Sequence, residues 1–360
     1  AGFHPAAHGT EKYMDFGFMK SMMRSTTLSS EDMWYAGKAF NYYYGGQYFA
    51  VFLTKLTGTK VEITYNLMRT MIAAFAFVLP FSLVRQMLKD KLGKRGRAWI
   101  TDFGGILAGL SVSMSGNLHY IIYGKIFTLL GIREDYWFPS TTRFIGFDPS
   151  VTGDETIHEF PSYSFVLGDL HAHVVNVMFV LFLVGLLYAW MRSVRMREAV
   201  IGRPGRKEFW KKQLLMPHIL LAAVMIVMFR FTNYWDFLIY FVVTGGVILF
   251  ANVVQFEGKV KRILAVTAAQ AVEIVIIFYV VSLPFTLQFD SMFKGVGIAQ
   301  YHSMIHQLLI LWGLPVILTV MLIGCIVWEK VKVRGSQKMS LYRLMKAVSV
   351  PDLFVVVMGL

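Results

Sequence analysis

Between Phe165 and Met191 the chain runs for 27 residues with hardly a charge, FVLGDLHAHVVNVMFVLFLVGLLYAWM, long enough to cross a bilayer. Comparable runs recur at about 64–88, 98–116, 214–231, 235–256, 263–287 and 305–328, and an eighth begins near 347. Hydrocarbon offers no partners for backbone N–H and C=O groups, so only helices or a closed β-barrel can cross it. The runs do not alternate apolar and polar residues as barrel strands would. The expected fold is therefore an all-α integral membrane protein, a helical bundle of about seven to eight spans, with residues 1–360 forming one transmembrane domain. The mean hydropathy of +0.54 fits that class, as does a charged fraction of only 16%.

The 360 residues carry a formal charge of +13, and its distribution excludes a nucleic-acid partner. Of 35 Lys and Arg, 23 fall into four clusters, Arg85–Arg97, Arg192–Lys212, Lys259–Arg262 and Lys330–Lys346, which are separated by apolar runs. If successive spans alternate in direction, all four clusters face one side, as the positive-inside rule requires of cytoplasmic loops. Residues 1–60, the 117–163 loop, the turn near 231–235 and the 288–304 loop then face outward from a plasma membrane. The first sixteen residues lack the apolar core of a signal peptide, and Leu360 lies within an apolar run. The chain is thus expected to be a piece of a longer protein. Its one cysteine, Cys325, falls in a span and implies no disulfide framework.

The outward segments are too patterned to be linkers. Phe16, Met19, Met22 and Met23 recur at helical spacing and predict a helix lying along the membrane interface within the 1–60 loop. The stretch 118–132 is too short to span and is expected to be re-entrant or interfacial. Every histidine except His218 lies in these segments or at outer helix ends, with Glu11, Asp15, Glu31, Asp32, Asp148, Asp154, Glu155, Glu159, Asp169, Asp236 and Asp290.

Four strings concentrate this chemistry: WYAGKAFNYYYGGQYF (34–49), GNLHYIIYG (116–124), WFPSTTRFI (137–145) and TNYWDF (232–237). Tyr42, Tyr43 and Tyr44 read either as an interfacial aromatic belt or, between Asn41 and Gly45-Gly46, as a tight turn presenting rings and an amide to a polar ligand. Trp34, Trp137 and Trp235 carry the same alternatives, belt or sugar-stacking face. Arg69, Arg143 and Arg230 either snorkel or clamp a phosphate with bidentate donors. His119, Asn233 and Asp236 complete the set of candidate substrate contacts.

The sequence D-x-H-x-H at 169–173 places ionisable groups at the mouth of an apolar run, where an unpartnered charge costs at least a few kcal/mol. On a continuous helix Asp169 and His173 share a face, and His171 points about 200° away from Asp169. All three converge only if the helix starts or unwinds near Gly168. Three readings stay open: a hydrogen-bonded polar wall, direct contact of Asp169, His171 and His173 with substrate, or a divalent metal held by Glu159, Asp169 and His173. The wall needs no cofactor and is favoured over the metal.

The series EKYMDF, WYAGKAFNYYYGGQ, GNLH, WFPSTTRFI, TIHEFPSYSFVLGDLHAH and TNYWDF, covering Glu11 to at least Phe289, resembles the YYY membrane proteins, a bacterial and archaeal family named for its tyrosine triplet. That family's architecture is similar to the GT-C glycosyltransferases, polytopic enzymes that draw on polyprenyl-phosphate sugars at the outer membrane face and carry a catalytic acidic residue in the first external loop. The resemblance implies a membrane glycosyltransferase of the cell envelope in which Asp15 is the general base. It also implies Glu159 and Asp169 as a second carboxylate pair, a lipid-linked sugar as donor, and a glycan or envelope protein as acceptor. The rival expectations are a transporter or channel for a polar or anionic solute and a non-catalytic assembly partner.

The alternation of charged loops predicts a labelling pattern. With Cys325 removed, an impermeant thiol reagent added outside should modify a Ser150→Cys variant and spare Gly205→Cys; the reverse pattern would overturn the orientation.

Overall fold

The computed structural model describes residues 12–132, 135–148, 150, 155–197, 205–256, 258–291, 297–298, 301–334 and 348–359. Glu11, Asp154 and half of the fourth basic cluster (Lys338, Arg343, Lys346) lie outside them. Among the described residues the only β pairing is two isolated bridges, Glu31 with Ala39 and Phe147 with Ser150, and the rest of the regular structure is helical. The chain divides into two compact units. The first comprises residues 1–113, 167–290 and 336–360, and the second residues 114–166 and 291–335.

The first unit begins with α1 (Lys12–Arg24), α2 (Gly45–Thr57), α3 (Val61–Leu92) and α4 (Ala98–Ser113). The second unit holds α5 (His119–Ile121), a five-residue π-turn at Ile122–Ile126, α6 (Phe127–Leu129), a 3₁₀ turn at Phe138–Thr142, nearly all of α7 (Pro161–Leu167), and later α13 (Ile305–Arg334). The first unit resumes with α8 (Ala172–Arg197), α9 (Arg206–Leu214), α10 (Pro217–Thr232), α11 (Tyr234–Gln255), α12 (Val260–Thr286) and α14 (Val350–Gly359).

Among the described residues five helices are long and apolar enough to cross a membrane: α3, α8, α11, α12 and α13. A sixth span arises if α9 and α10, bent by 41° across their short break, count as one. The bend has a local cause, since Pro217 opens α10 and holds Met216 in extended backbone. The expected span at 98–116 is helical but short, and the run that begins near 347 is helical over Val350–Gly359. α4 has 16 residues, about 24 Å at 1.5 Å per residue against roughly 30 Å of hydrocarbon.

The α3–α4 pair shows how the helices close on one another. Gly105 and Gly109 of α4 sit so near Phe81 and Phe77 of α3 that an added Cβ would lie 2.7–2.8 Å from the rings, the close approach that small residues permit between membrane helices. Arg85 Nε donates to Asp102 Oδ1 at 2.5 Å across the same pair. Further around the unit, Asn252 of α11 donates to Gln270 Oε1 at 2.8 Å and Thr267 Oγ1 at 3.0 Å on α12. Gln270 in turn donates to the carbonyl of Gln213 in α9.

Side-chain contacts fix the direction of each helix in this unit. At one end, Asp90 near the close of α3 accepts from Tyr188 and Arg192 near the close of α8, at 2.8 Å each. Lys91 pairs with Asp352 of α14 at 2.5 Å, and Met191, Val194, Ala251, Val254, Val350 and Leu353 line a small cavity there. At the other end the starts of α2, α8 and α11 meet the ends of α10 and α12. The described basic residues of the first three clusters therefore gather at the first of these ends, away from the tyrosine triplet and the DLHAH segment.

Two expectations are corrected. α1 is a helix, but Phe18, Met19 and Met22 are buried at 4%, 0% and 2% exposure against α2 and α3. The apolar face covers protein and not a lipid surface. Gly45 and Gly46 form no tight turn; they open α2, because Gly45 lies against the Phe231 carbonyl and Gly46 against the Val175 side chain. A Cβ on Gly45 would come within 2.6 Å of that carbonyl oxygen. Gly45→Ala should therefore cost about 1–3 kcal/mol through overpacking. Gly245→Ala, where a Cβ meets nothing within 4 Å, should be neutral or stabilising, and thermal unfolding in detergent distinguishes the two.

Candidate functional site

A membrane bundle concentrates its chemistry wherever polar side chains are held against one another. In the first unit this happens where α1, α2, α3 and the segment before α8 meet. Gly168, at φ +75°, ends the helical run of α7, and α8 starts only at Ala172. Asp169, Leu170 and His171 form a short non-helical stretch between them. Asp169 and His173 thus do not share a helical face, and the four-residue spacing argument for their contact fails. The other possibility, a helix that starts near Gly168, is the one realised.

The unwound stretch frees the Leu170 carbonyl from helical bonding. Gln47 of α2, fully buried, donates its amide to that carbonyl at 3.1 Å and to Asp15 Oδ1 at 2.9 Å. Asp15, on the first turn of α1, has no solvent exposure. Its Oδ2 stands 3.7 Å from Nδ1 of His171, whose side chain keeps 20% exposure. The His171 and His173 rings lie 5.3 Å apart. Tyr65 of α3 is buried with its hydroxyl in electrostatic reach of both Asp15 and Asp169, and Asp169 is itself only 6% exposed. Arg69, one turn along α3, lies over the Tyr65 ring at 5.9 Å and donates to Asn66 at 2.8 Å.

A second network begins one turn along α8. Buried Asn176 donates to Asp236 Oδ2 at 2.5 Å and accepts from the Thr232 hydroxyl at 2.7 Å. Asn233 donates to the same Asp236 oxygen at 2.8 Å. Arg230 lies over the rings of Tyr234 and Phe237, at 4.4 and 5.3 Å, a cation–π arrangement. Trp235 is half exposed.

The tyrosines divide. Tyr44 is buried against Phe40 and Phe285, and burial, followed by the neighbouring Tyr48, holds its phenol above the ordinary range. Tyr42 and Tyr43 stack on each other at 4.2 Å, and Tyr42 leans on Phe18. Asn41 exchanges two hydrogen bonds with the backbone of Asp290, at 2.7 and 2.9 Å, and so clamps the segment after α12.

The remaining candidates belong to the second unit. His119 is buried, stacked at 4.5 Å on Tyr123 and edge-on to Phe144, with Nδ1 3.3 Å from the Tyr136 hydroxyl. Arg143 donates to the Tyr163 hydroxyl at 3.3 Å, Glu159 accepts from Ser164 at 3.1 Å, and Trp137 is 63% exposed. Burial lowers the pKa of His158, which fits its Nε2 accepting from the Phe144 N–H at 3.4 Å. Among the described residues no three His, Cys, Asp or Glu side chains are grouped to hold a metal ion, the set of Glu159, Asp169 and His173 included.

The sequence reasoning missed Gln47, Tyr65, Asn176 and Thr232. Asn176 had a readable signal, an amide inside an apolar run. Gln47 stood in a quoted string, but a neutral amide gives no hint of the carboxylate it will meet.

Fold and site together define a polytopic helical membrane protein with a buried carboxylate cluster at one end of its bundle. The chain belongs to the family of uncharacterized membrane proteins designated DUF2298, whose model matches residues 2–360. No curated protein and no solved structure matches it.

Since Gln47 satisfies two buried acceptors, Gln47→Leu should destabilise the protein by about 1–3 kcal/mol for each acceptor left dry. Gln47→Glu should be worse at neutral pH and partly recover on acidification, as a carboxylate set against Asp15 takes up a proton. Unfolding curves at two pH values check both.

Proposed function

We propose that this protein is a membrane glycosyltransferase that moves a sugar from a polyprenyl-phosphate donor to an acceptor at the outer membrane face. The observation that carries the reading is the Asp15 cluster: a fully buried carboxylate, braced by Gln47 and facing His171, at the end of the first unit away from the described residues of its three basic clusters. Sugar transfer needs a group that removes a proton from the acceptor hydroxyl as the bond to phosphate breaks. It also needs donors to hold the departing phosphate, and Arg69, which lies over the Tyr65 ring beside this cluster, can supply them. The resemblance of the motif strings to the YYY membrane proteins, a family whose architecture is similar to the GT-C enzymes, with an acidic residue early in the chain at Asp15, supports the same reading. By positive-inside logic the site faces outward in the plasma membrane, where lipid-linked sugars can enter sideways between helices.

A transporter is the second reading, and Glu273 favours it. This carboxylate lies midway along α12 with a buried oxygen, Oε2, that has no hydrogen-bond partner. Solute flux into proteoliposomes that Glu273→Gln abolishes, without any sugar transfer, would select that reading.

For the transferase, reconstituted protein given a polyprenyl-phosphate sugar and acceptor should lose at least roughly 100-fold in turnover with Asp15→Asn, while donor binding survives. Asp169→Asn should weaken donor or acceptor binding with a smaller loss of turnover. Near-normal transfer by Asp15→Asn sinks the assignment of this cluster as the active centre.

A further inference from the structure

We infer that the atom receiving the acceptor's proton is Nε2 of His171, and that Asp15 acts through it as a positioning residue. The inference rests on the sugar-transfer reading and departs from the simpler picture in which Asp15 itself meets the acceptor. Asp15 has no exposed surface, and its Oδ1 is occupied by the Gln47 amide. An acceptor hydroxyl could reach it only by displacing buried side chains. His171 retains 20% exposure and stands on the unwound stretch before α8, so it is the member of the pair that a ligand can touch.

The orientation of the ring supports this assignment. Nδ1 faces Asp15 Oδ2 at 3.7 Å, an ion-pair distance that can tighten once substrate closes the site. With Nδ1 carrying its proton toward the carboxylate, Nε2 is the basic nitrogen. This is the arrangement in which a buried carboxylate fixes the tautomer of a histidine and stabilises the imidazolium that forms. Gln47 extends the chain of orientation: one amide ties Asp15 to the backbone carbonyl of Leu170, the residue next to His171. Among the described residues the other charged or titratable groups near the pair include Lys12, three residues before Asp15 on α1, Tyr65 and Arg69 on α3, and Asp169 and His173 on either side of His171.

The step balances without a further reactant. The acceptor O–H proton passes to Nε2, and the oxygen's electron pair forms the new bond to the anomeric carbon. The bond from that carbon to the phosphate oxygen breaks, and its electron pair leaves on the polyprenyl phosphate. The imidazolium held by Asp15 then returns its proton to solvent or to the departing phosphate.

The test uses the reconstituted full chain with a polyprenyl-phosphate sugar, comparing wild type, His171→Ala, His171→Gln and Asp15→Asn. His171→Ala should lose roughly 10²- to 10⁴-fold in turnover with little change in KM for the donor. Added imidazole should restore part of that activity in His171→Ala and none in Asp15→Asn, a rescue that a merely structural histidine would not show. His171→Gln retains an amide to meet Asp15 and should be folded yet inactive, which keeps the test decisive if the alanine variant unfolds. An active wild type with a His171→Gln variant above one tenth of its turnover overturns the inference and returns the proton to Asp15. So does a folded, inactive His171→Ala that imidazole cannot rescue. A wild type that transfers no sugar is a different result: it removes the transferase reading itself, and the inference with it.

Discussion

Hydrocarbon cannot hydrogen-bond, and the arrangement of the first unit follows from that. A carboxylate such as Asp15, withdrawn from water, must find its partners inside the protein. It finds them in Gln47 and His171, which come from two other parts of the chain. Supplying those partners dictates the local architecture. α2 must start tightly against α8 and α10, which Gly45 and Gly46 allow. α8 must start late, which Gly168 enforces. The same requirement operates at the opposite end, where Asp90 is held by Gln86, Tyr188 and Arg192, and Asp352 by Lys91.

The two ends use their polar residues differently. The end bearing the basic clusters pairs opposite charges across helices, a pattern that ties α3, α8 and α14 together. At the other end Lys20 also pairs with Glu62, but the buried carboxylates Asp15 and Asp236 are met by amides, a hydroxyl and a histidine: Gln47, Asn176, Asn233 and His171, with Thr232 on Asn176. Neutral donors orient a carboxylate without neutralising it.

Much of this was legible in the sequence, for a physical reason. Runs such as 235–256 and 263–287 are apolar over bilayer length, and lipid leaves them no option but α11 and α12. The charge clusters showed which helix ends belong together. What could not be read was what each amphipathic face covers. The Phe16–Met23 pattern announced a helix, and only tertiary packing reveals that Met19 and Met22 are buried in protein. Likewise the D-x-H-x-H spacing has one geometry on a continuous helix and another beside a left-handed Gly168, and glycine is compatible with both. Of the candidate residues, Asp15, Asp169 and His171 do gather around a common cluster. Gln47, which joins two of their segments, was invisible because its partners lie 32 and 123 positions away.

That separation has a consequence for how the protein is made. Gln47 leaves the ribosome about 120 residues ahead of Leu170 and His171, and Asp15 earlier still. At roughly 5–20 residues per second the interval is about 6–25 s. Throughout it the N-terminal segment carries a carboxylate that cannot be left dry in lipid. Contact with water and headgroups is what meets that requirement until His171 is made. α1 takes its final seat only when the start of α8 arrives. In the order of synthesis the polar cluster is thus among the last contacts to close, since it needs both the first and the middle parts of the chain.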